Sequence, residues 1–352
     1  MKIVVTGATG NVGTSVLAAL GADPAVHEIV GLARRLPAGR PAKTTWVQGD
    51  VADADLAPLF RGADAVIHLA WLIQPSHDQA TLWRVNVDGS ARVFHAVAAA
   101  KVSRLVYASS VGAYSPGPKD RQVDEGWPTD GIDSSYYSRQ KSAVERHLDR
   151  FEKEAPDCRV VRLRPGLIFK RDAATEIRRY FAGPFLPNLL VRHRDLLPLL
   201  PVSTDLIFQA VHSLDVGEAY RLAVTDDSAN GPYNLAADPV LDPARLAALV
   251  GARPVKVPGH VLRAAAAATW KTRLQPSAPG WVDMALLAPL MDTGRARREL
   301  GWTPRRTSEE ALAELLEGMG QGAGHDTPPL SPSSSGPFRL RELLSGVGSR
   351  SI

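Results

Sequence analysis

TGATGNVG, residues 6–13, follows the apolar run Lys2–Val5 and leads into a stretch rich in alanine and leucine. Its glycines, Gly7, Gly10 and Gly13, are spaced i, i+3, i+6. A strand that ends in such a triplet and then opens a helix uses glycine for a tight turn and for close backbone approach. The free N–H groups at the helix start suit a pyrophosphate. The turn from Gly7 to Gly13, with Thr9, Asn11 and Val12 inside it, is therefore the expected cradle of a dinucleotide.

Outward from this turn, β-branched runs alternate with helical stretches. KIVVT, EIVGL, TTWVQ, AVIHLA, RLVYAS and RVVRLR read as buried parallel strands, with helices such as Asn11–Leu20 and Gln79–Ala100 between them. This alternation predicts an α/β fold, a doubly wound parallel sheet of the Rossmann type. The rhythm is lost after Arg164, where residues 166–204 are rich in Pro, Leu and Arg. LIFQAV at 206–211, a helix over Leu214–Val224 and PYNLA at 232–236 read as a return to the sheet, and 238–319 as mainly helical. Thr307 and Glu310 have the spacing of a capping box. The expected organisation is a dinucleotide-binding domain over 1–165, with 205–236 returning to it. A smaller, mainly helical substrate lobe takes 166–204 and 237–319. The Gly/Pro/Ser-rich 320–352 is expected to be a flexible or disordered tail.

Composition narrows the function. With 352 residues, 41 basic and 37 acidic, the net charge of +4 is too small and too scattered to suggest nucleic-acid binding. Cys158 is the only cysteine, which rules out an intrachain disulfide and suits a reducing compartment. No uncharged apolar stretch reaches the roughly 18–20 residues of a membrane helix. With the apolar run starting at Ile3, the expectation is that no leader precedes the fold. The expectation is a cytoplasmic protein that acts on a small molecule, with no membrane partner and no metal.

The end of the second strand bears on which dinucleotide is used. An acidic residue there would hold a ribose 2′-hydroxyl, but IVGLARR has Ala33, followed by Arg34 and Arg35, which suit a 2′-phosphate. NADP is favoured and NAD remains possible. Asp50 and Val51, in QGDVAD, end the third strand. There Asp50 is either an acceptor for the adenine amino group or a surface aspartate.

SSYYSRQK, residues 134–141, sets two tyrosines ahead of a lysine. At i, i+4 spacing Tyr136 faces Gln140 and Tyr137 faces Lys141. A phenol titrates near 10, and a neighbouring cation favours its phenolate, so Tyr137 is the candidate proton-transfer residue. Such a tyrosine needs a hydroxyl partner. LVYASSVGAYS, residues 105–115, delivers Ser109 and Ser110 to the C-terminal edge of the sheet.

TGATGNVG, GDV, HLA, VNVDGS (85–90), VYASSVGAY and YSRQK occur in this order. Over residues 1 to about 319 the chain resembles an extended short-chain dehydrogenase/reductase of the NAD-dependent epimerase/dehydratase family. The resemblance implies that Ser110 binds the reacting oxygen, Tyr137 passes the proton, and Lys141 holds the ribose and tunes Tyr137. It implies that Asn86 supports the site from the neighbouring helix, that the backbone of His68, Leu69 and Ala70 lies against the cofactor, and that Pro165 meets it after the sixth strand. Val111 and Gly112 stand where dehydratases carry Asp-Glu, which disfavours dehydration. LRPGLIFK is similar to the reductase and hydroxysteroid-dehydrogenase branch. Trp71, Tyr114 and Tyr136, with Ser110, are expected at the substrate, and Leu72 and Ile73 offer further apolar wall. Arg162, Arg164, Lys170, Arg171, Arg178, Arg179, Arg192 and Arg194 crowd the entry to the substrate lobe, either solvated or holding a phosphate or carboxylate. Asp215 is expected to cap a helix. The resemblance further implies a homodimer through helices 79–100 and 134–154, whose Val93, Val97 and Leu148 suit either a core or an interface.

The reading is an NADP(H)-linked oxidoreductase acting on a secondary alcohol or carbonyl. Its rivals are a nucleotide-sugar 4-epimerase with tightly held NAD and a non-catalytic, dinucleotide-sensing binding protein.

Overall fold

The β-branched runs become strands because a sheet covered on both faces suits side chains with restricted χ1. The computed structural model describes residues 1–73, 76–182 and 198–332. Its central sheet contains β1 (Lys2–Thr6), β2 (Glu28–Ala33), β3 (Thr44–Gln48), β4 (Ala65–His68), β5 (Arg104–Ala108), β7 (Arg159–Pro165) and β11 (Gly231–Leu235), all parallel, in the order β11-β7-β5-β4-β1-β2-β3. The chain runs outward from β1 through β2 to β3, then returns to β4 and builds the other half. The switch point lies between β1 and β4, where a doubly wound sheet binds its ligand. There Thr6 pairs with His68, and His68 with Tyr107, so the strand ends that carry the site are level.

One face of the sheet is covered by helices Asn11–Ala22 and Ser213–Thr225. Gly217 permits their contact: a Cβ there would lie 2.6 Å from the Ser15 carbonyl oxygen. The other face is covered by Gly89–Ala99 and Tyr136–Glu154. Val93, Val97 and Leu148 are fully buried in that layer, which makes them core rather than interface.

The return to the sheet differs in part from the expectation. PYNLA does return, as β11 beside β7. LIFQAV does not: β10 (Phe208–His212) joins β8 (Leu167–Phe169) and β12 (Ala237–Leu241) in a separate three-stranded sheet. The chain turns off the central sheet at Gly166, where a Cβ would meet the Gln209 carbonyl oxygen at 2.5 Å. Region 238–319 is also less helical than its pattern suggested. Besides β12 it contains β13 (Arg253–Lys256), paired with β9 (Leu199–Val202), and β14 (Leu290–Met291), paired with β6 (Gln122–Val123). These strands are too short and too proline-interrupted to show a period of two.

The capping box at Thr307 and Glu310 opens helix Ser308–Gln321, which Gly322 ends at φ +67°. Helix Ser213–Thr225 is capped by His212 rather than Asp215. Asp215 instead accepts from the Arg306 amide at 3.2 Å. The chain expected to be a tail continues packed as far as Pro332, with Thr327 and Leu330 buried. Residues 333–352, Arg192 and Arg194 lie outside the described residues. Among the described residues no helix is long and apolar enough to cross a membrane.

Candidate active site

The glycine turn is built as its spacing requires. Gly7 has φ +71°, and a Cβ on it would lie 2.6 Å from the Ala70 amide nitrogen. A Cβ on Gly13 would lie 2.4 Å from the Gly7 carbonyl oxygen, so the helix closes onto the turn only with glycine there. Helix Asn11–Ala22 has no side-chain cap and no acidic residue in its first turn, which leaves its first amides for an anionic ligand. Val12 packs against the core.

A cavity of about 150 Å³ runs from this turn along the sheet edge. Gly7, Thr9 and Gly10 form its floor, and Leu69 and Ala70 lie beside them. Ala33, Arg34, Arg35, Asp50 and Val51 close one end. Most of the expected cofactor residues therefore meet in one space. Asn11 Oδ1, next to Gly10, and Trp71 Nε1, in the wall, are buried without a partner among the described residues. Free helix amides, orphaned polar atoms and a glycine floor fit a dinucleotide. Pro165 is not in this wall. It ends β7, buried and paired with Leu235.

Nothing in the sequence pattern marks the cover of this cavity. Glu176 and Tyr180 line it, as do Pro328 and Pro329 from the far end of the chain. Thr327 donates a 2.8 Å hydrogen bond to the Thr9 carbonyl oxygen, and Arg179 donates to Pro329 O at 3.1 Å. Burial raises the Glu176 carboxyl to about 7, against the pull of Arg179. Lys170, expected at the entry to the substrate lobe either solvated or holding an anion, lies behind the turn, donating to Asn11 O at 3.1 Å and Thr14 Oγ1 at 2.6 Å.

The catalytic candidates meet at the ends of β5 and helix Tyr136–Glu154. Ser110 accepts from the Gly112 amide at 3.0 Å, and its hydroxyl is near enough to the Tyr137 phenol to pull against the effect of burial on it. Gly112 makes room, since a Cβ there would lie 2.8 Å from the Tyr137 ring. Burial raises the Tyr137 phenol to about 12, only partly offset by the nearby Ser110 hydroxyl, so it is held as a protonated donor. The expected phenolate-favouring role of Lys141 is not what this geometry shows. The Lys141 Nζ is 5.8 Å from the Tyr137 ring centre, donates to Ala108 O at 2.6 Å and lies 3.4 Å from the Trp71 ring centre. Burial lowers the Lys141 ammonium well below its usual range, with Glu145 opposing.

The next residue on this helical face, Glu145, was missed, although i+4 from Lys141 marks it. Fully buried, it accepts from Ser109 at 2.6 Å and from Arg164 at 2.9 and 3.1 Å, and pairs with Arg162 at 2.7 Å. Arg162 and Arg164, expected at the substrate entry, are thus bound inside the fold. Tyr114 is corrected likewise. Fully buried, it donates to Asn234 Oδ1 at 2.6 Å and accepts from Arg164 at 3.1 Å, and it lines neither the cavity over the glycine turn nor the one beside Trp281. Tyr136 is buried and packs edge-on against Trp281 at 6.0 Å.

Asn86 clamps the backbone of Leu72, accepting from its amide at 2.7 Å and donating to its carbonyl at 2.9 Å, and also donates to Gln140 at 2.8 Å. It holds the segment carrying Trp71 and bonds to neither Tyr137 nor Lys141. Trp71, expected at the substrate, is in the wall of the cavity over the glycine turn. His68 is locked between Thr6 at 2.7 Å and Ser90 at 2.9 Å. Burial, reinforced by Lys141, lowers it to about 3.

The pattern of the NAD dependent epimerase/dehydratase family matches residues 3–236. The chain belongs to this family. An uncharacterized Mycobacterium tuberculosis protein is 29% identical over 322 residues, 90% of this chain but 30% of that protein, so the chain spans under a third of that relative's length. A 3-beta-hydroxysteroid dehydrogenase of Mycolicibacterium neoaurum is 27% identical over 345 residues, 90% of each chain. The UDP-glucose 4-epimerase of Thermus thermophilus, solved with NAD, shares the fold with a TM-score of 0.67 and 22% identity, over 91% of this chain and 99% of that one.

Proposed function

We propose that this epimerase/dehydratase-family chain is an NAD(P)-dependent oxidoreductase acting on a secondary alcohol or carbonyl. The observation that carries the reading is the placing of Tyr137 against the Ser110–Gly112 turn, where a Cβ on Gly112 would lie 2.8 Å from the Tyr137 ring, with Lys141 one helical turn on. When bound, the nicotinamide supplies or accepts the hydride. Ser110 orients the substrate oxygen, and Tyr137 donates its proton there as the carbonyl becomes an alcohol. A phenol held protonated by burial suits this direction. Lys141 supports the cofactor ribose once Trp71, which covers its ammonium, turns aside.

NADP is the favoured form. No carboxylate stands at Ala33 to hold a 2′-hydroxyl, while Arg34 and Arg35 line the cavity end. Asp50 lies 3.8 Å from Arg34 and competes for it, leaving Arg35 the freer of the two for a 2′-phosphate. Calorimetry with NADP⁺ and NAD⁺ tests this: Arg35→Ala should weaken NADP⁺ more than NAD⁺. A homodimer through the outer faces of helices Gly89–Ala99 and Tyr136–Glu154 belongs to the same proposal, tested by light scattering. Buried Cys158, as the lone thiol, supports a cytoplasmic location.

Denaturing freshly purified protein and weighing any released dinucleotide tests the reaction class. Little retained cofactor, or a trace of NADP or NADPH, is expected for an enzyme that exchanges it each turnover. Near-stoichiometric NAD would instead support the 4-epimerase.

A further inference from the structure

A second cavity, of about 200 Å³, adjoins the side chains packed around Tyr137. Val111, next to Ser110, forms part of it. So do Trp281, whose ring centre is 4.9 Å from that of Tyr137, and Met284, whose sulfur shares the space over Gly112 with the Tyr137 ring. Phe181, Phe208 and Met291 extend the same apolar wall.

Two polar side chains interrupt this wall, Gln209 and Lys119, and they differ in what they have left to offer. Gln209 spends one N–H and its carbonyl oxygen on one backbone residue, donating to Met291 O at 3.0 Å and accepting from Met291 N at 2.6 Å, and what remains is a neutral donor. Lys119 Nζ donates to Ile207 O at 2.7 Å and Ala285 O at 3.0 Å. An ammonium has three N–H donors, so one remains. Among the described residues no carboxylate lies within ion-pair distance of Lys119. Asp205 acts on it from farther away, opposing the burial that lowers the ammonium to about 8. A partly desolvated cation held by two carbonyl oxygens attracts an anionic acceptor.

Size limits the occupant. An engineered apolar cavity of about 150 Å³ takes benzene. The present volume accepts a one-ring body or a comparable alkyl chain, and its wall offers a diphosphate-linked sugar a single cation and almost no hydroxyl partners.

We propose that this cavity receives a small apolar ketone, or the alcohol made from it, and that Lys119 selects for one that also carries an anionic acceptor group. The inference rests on the oxidoreductase reading. In reduction the carbonyl carbon gains the hydride of the reduced nicotinamide and the carbonyl π pair moves onto oxygen. The oxygen then takes the Tyr137 proton, which solvent restores. The alcohol and the oxidised nicotinamide are the products.

The test uses the full chain and a series of phenyl ketones bearing a carboxylate at increasing chain length, each matched with its methyl ester, with UDP-glucose as the polar comparison. Affinity is read by calorimetry and turnover by nicotinamide absorbance. At least one acid should be preferred over its ester by about tenfold or more, as a charge-assisted hydrogen bond implies. That preference should fall about tenfold in Lys119→Met and persist in Lys119→Arg, a change in ratio that a merely structural lysine would not produce. No binding of any ketone, or an acid-to-ester ratio unmoved by Lys119→Met, overturns the inference. Selective binding with no hydride transfer on any of them would overturn the oxidoreductase reading and leave the assignment of the cavity standing. Hydride transfer on UDP-glucose without ketone binding would do the reverse.

Discussion

Glu145→Gln tests how the fold holds its catalytic edge. Glu145 is the buried anion between Arg162 and Arg164, and its hydrogen bond from Ser109 fixes the residue next to Ser110. Burial alone would raise its carboxyl, but the two guanidiniums, Arg164 foremost, outweigh this and bring it from 4.5 to about 2. At about 1.4 kcal/mol per unit, that depression corresponds to about 3 kcal/mol of folding stability. A second estimate agrees: removing one partner of a buried pair costs about 3–5 kcal/mol. The lower end applies because Arg162 keeps Asp149 and Glu152, both at 2.7 Å, and the charge left bare is mainly that of Arg164. The sign follows from the direction of the shift. A carboxyl depressed in the folded state stabilises above its unfolded value and loses that contribution as pH falls from 4.5 towards 2. Urea unfolding followed by tryptophan fluorescence should show the variant about 3 kcal/mol less stable at neutral pH, with the gap closing in acid. Adding Arg164→Met should recover part of the loss. A neutral-pH loss under about 1 kcal/mol, or a gap independent of pH, would refute the reasoning.

Gly7→Ala forces a side chain into a positive-φ turn 2.6 Å from Ala70 N, which should cost about 1–3 kcal/mol in urea unfolding and weaken dinucleotide binding at least about tenfold by calorimetry. His68 should stay neutral through the physiological range. Its folded value of about 3 lies below the unfolded 6.5, so its stabilising contribution is complete above 6.5 and declines as pH falls towards 3. Flat imidazole nitrogen shifts down to about pH 4 would bear this out, and a titration near 6.5 would contradict it. Thr327→Val removes the strap's bond to the Thr9 carbonyl. Losing about 1 kcal/mol there should raise the cofactor dissociation rate about fivefold in stopped-flow, and an unchanged rate would mean that the strap does not retain the cofactor.

Much of the fold was legible because it is written in local periods. Six β-branched runs became six strands of the central sheet, and Thr307 with Glu310 marked a helix start by spacing alone. β8, β10 and β12 were less legible because a short apolar run does not say which sheet it joins. That choice is made by the close passage of Gly166 over Gln209. That most of the expected cofactor residues would meet at one cavity was readable for a related reason. Gly7, Ala33 and Asp50 end or closely follow strands, and parallel strands bring their ends to one edge. Tyr114, Arg162 and Arg164 misled because nothing in their own segments reveals that Glu145 and Asn234 wait inside to satisfy them. Thr327, Pro328 and Pro329 carried no signal at all, since the cover they form depends on the chain returning from the far end of the sequence.

The central claim is that Tyr137 passes a proton to a substrate oxygen as hydride moves. The most direct test is turnover of Tyr137→Phe against wild type on any carbonyl that the wild type reduces, with cofactor affinity measured alongside. The account predicts a loss of about 10²–10⁴-fold in kcat with cofactor binding nearly unchanged. Wild-type turnover by the phenylalanine variant would contradict it.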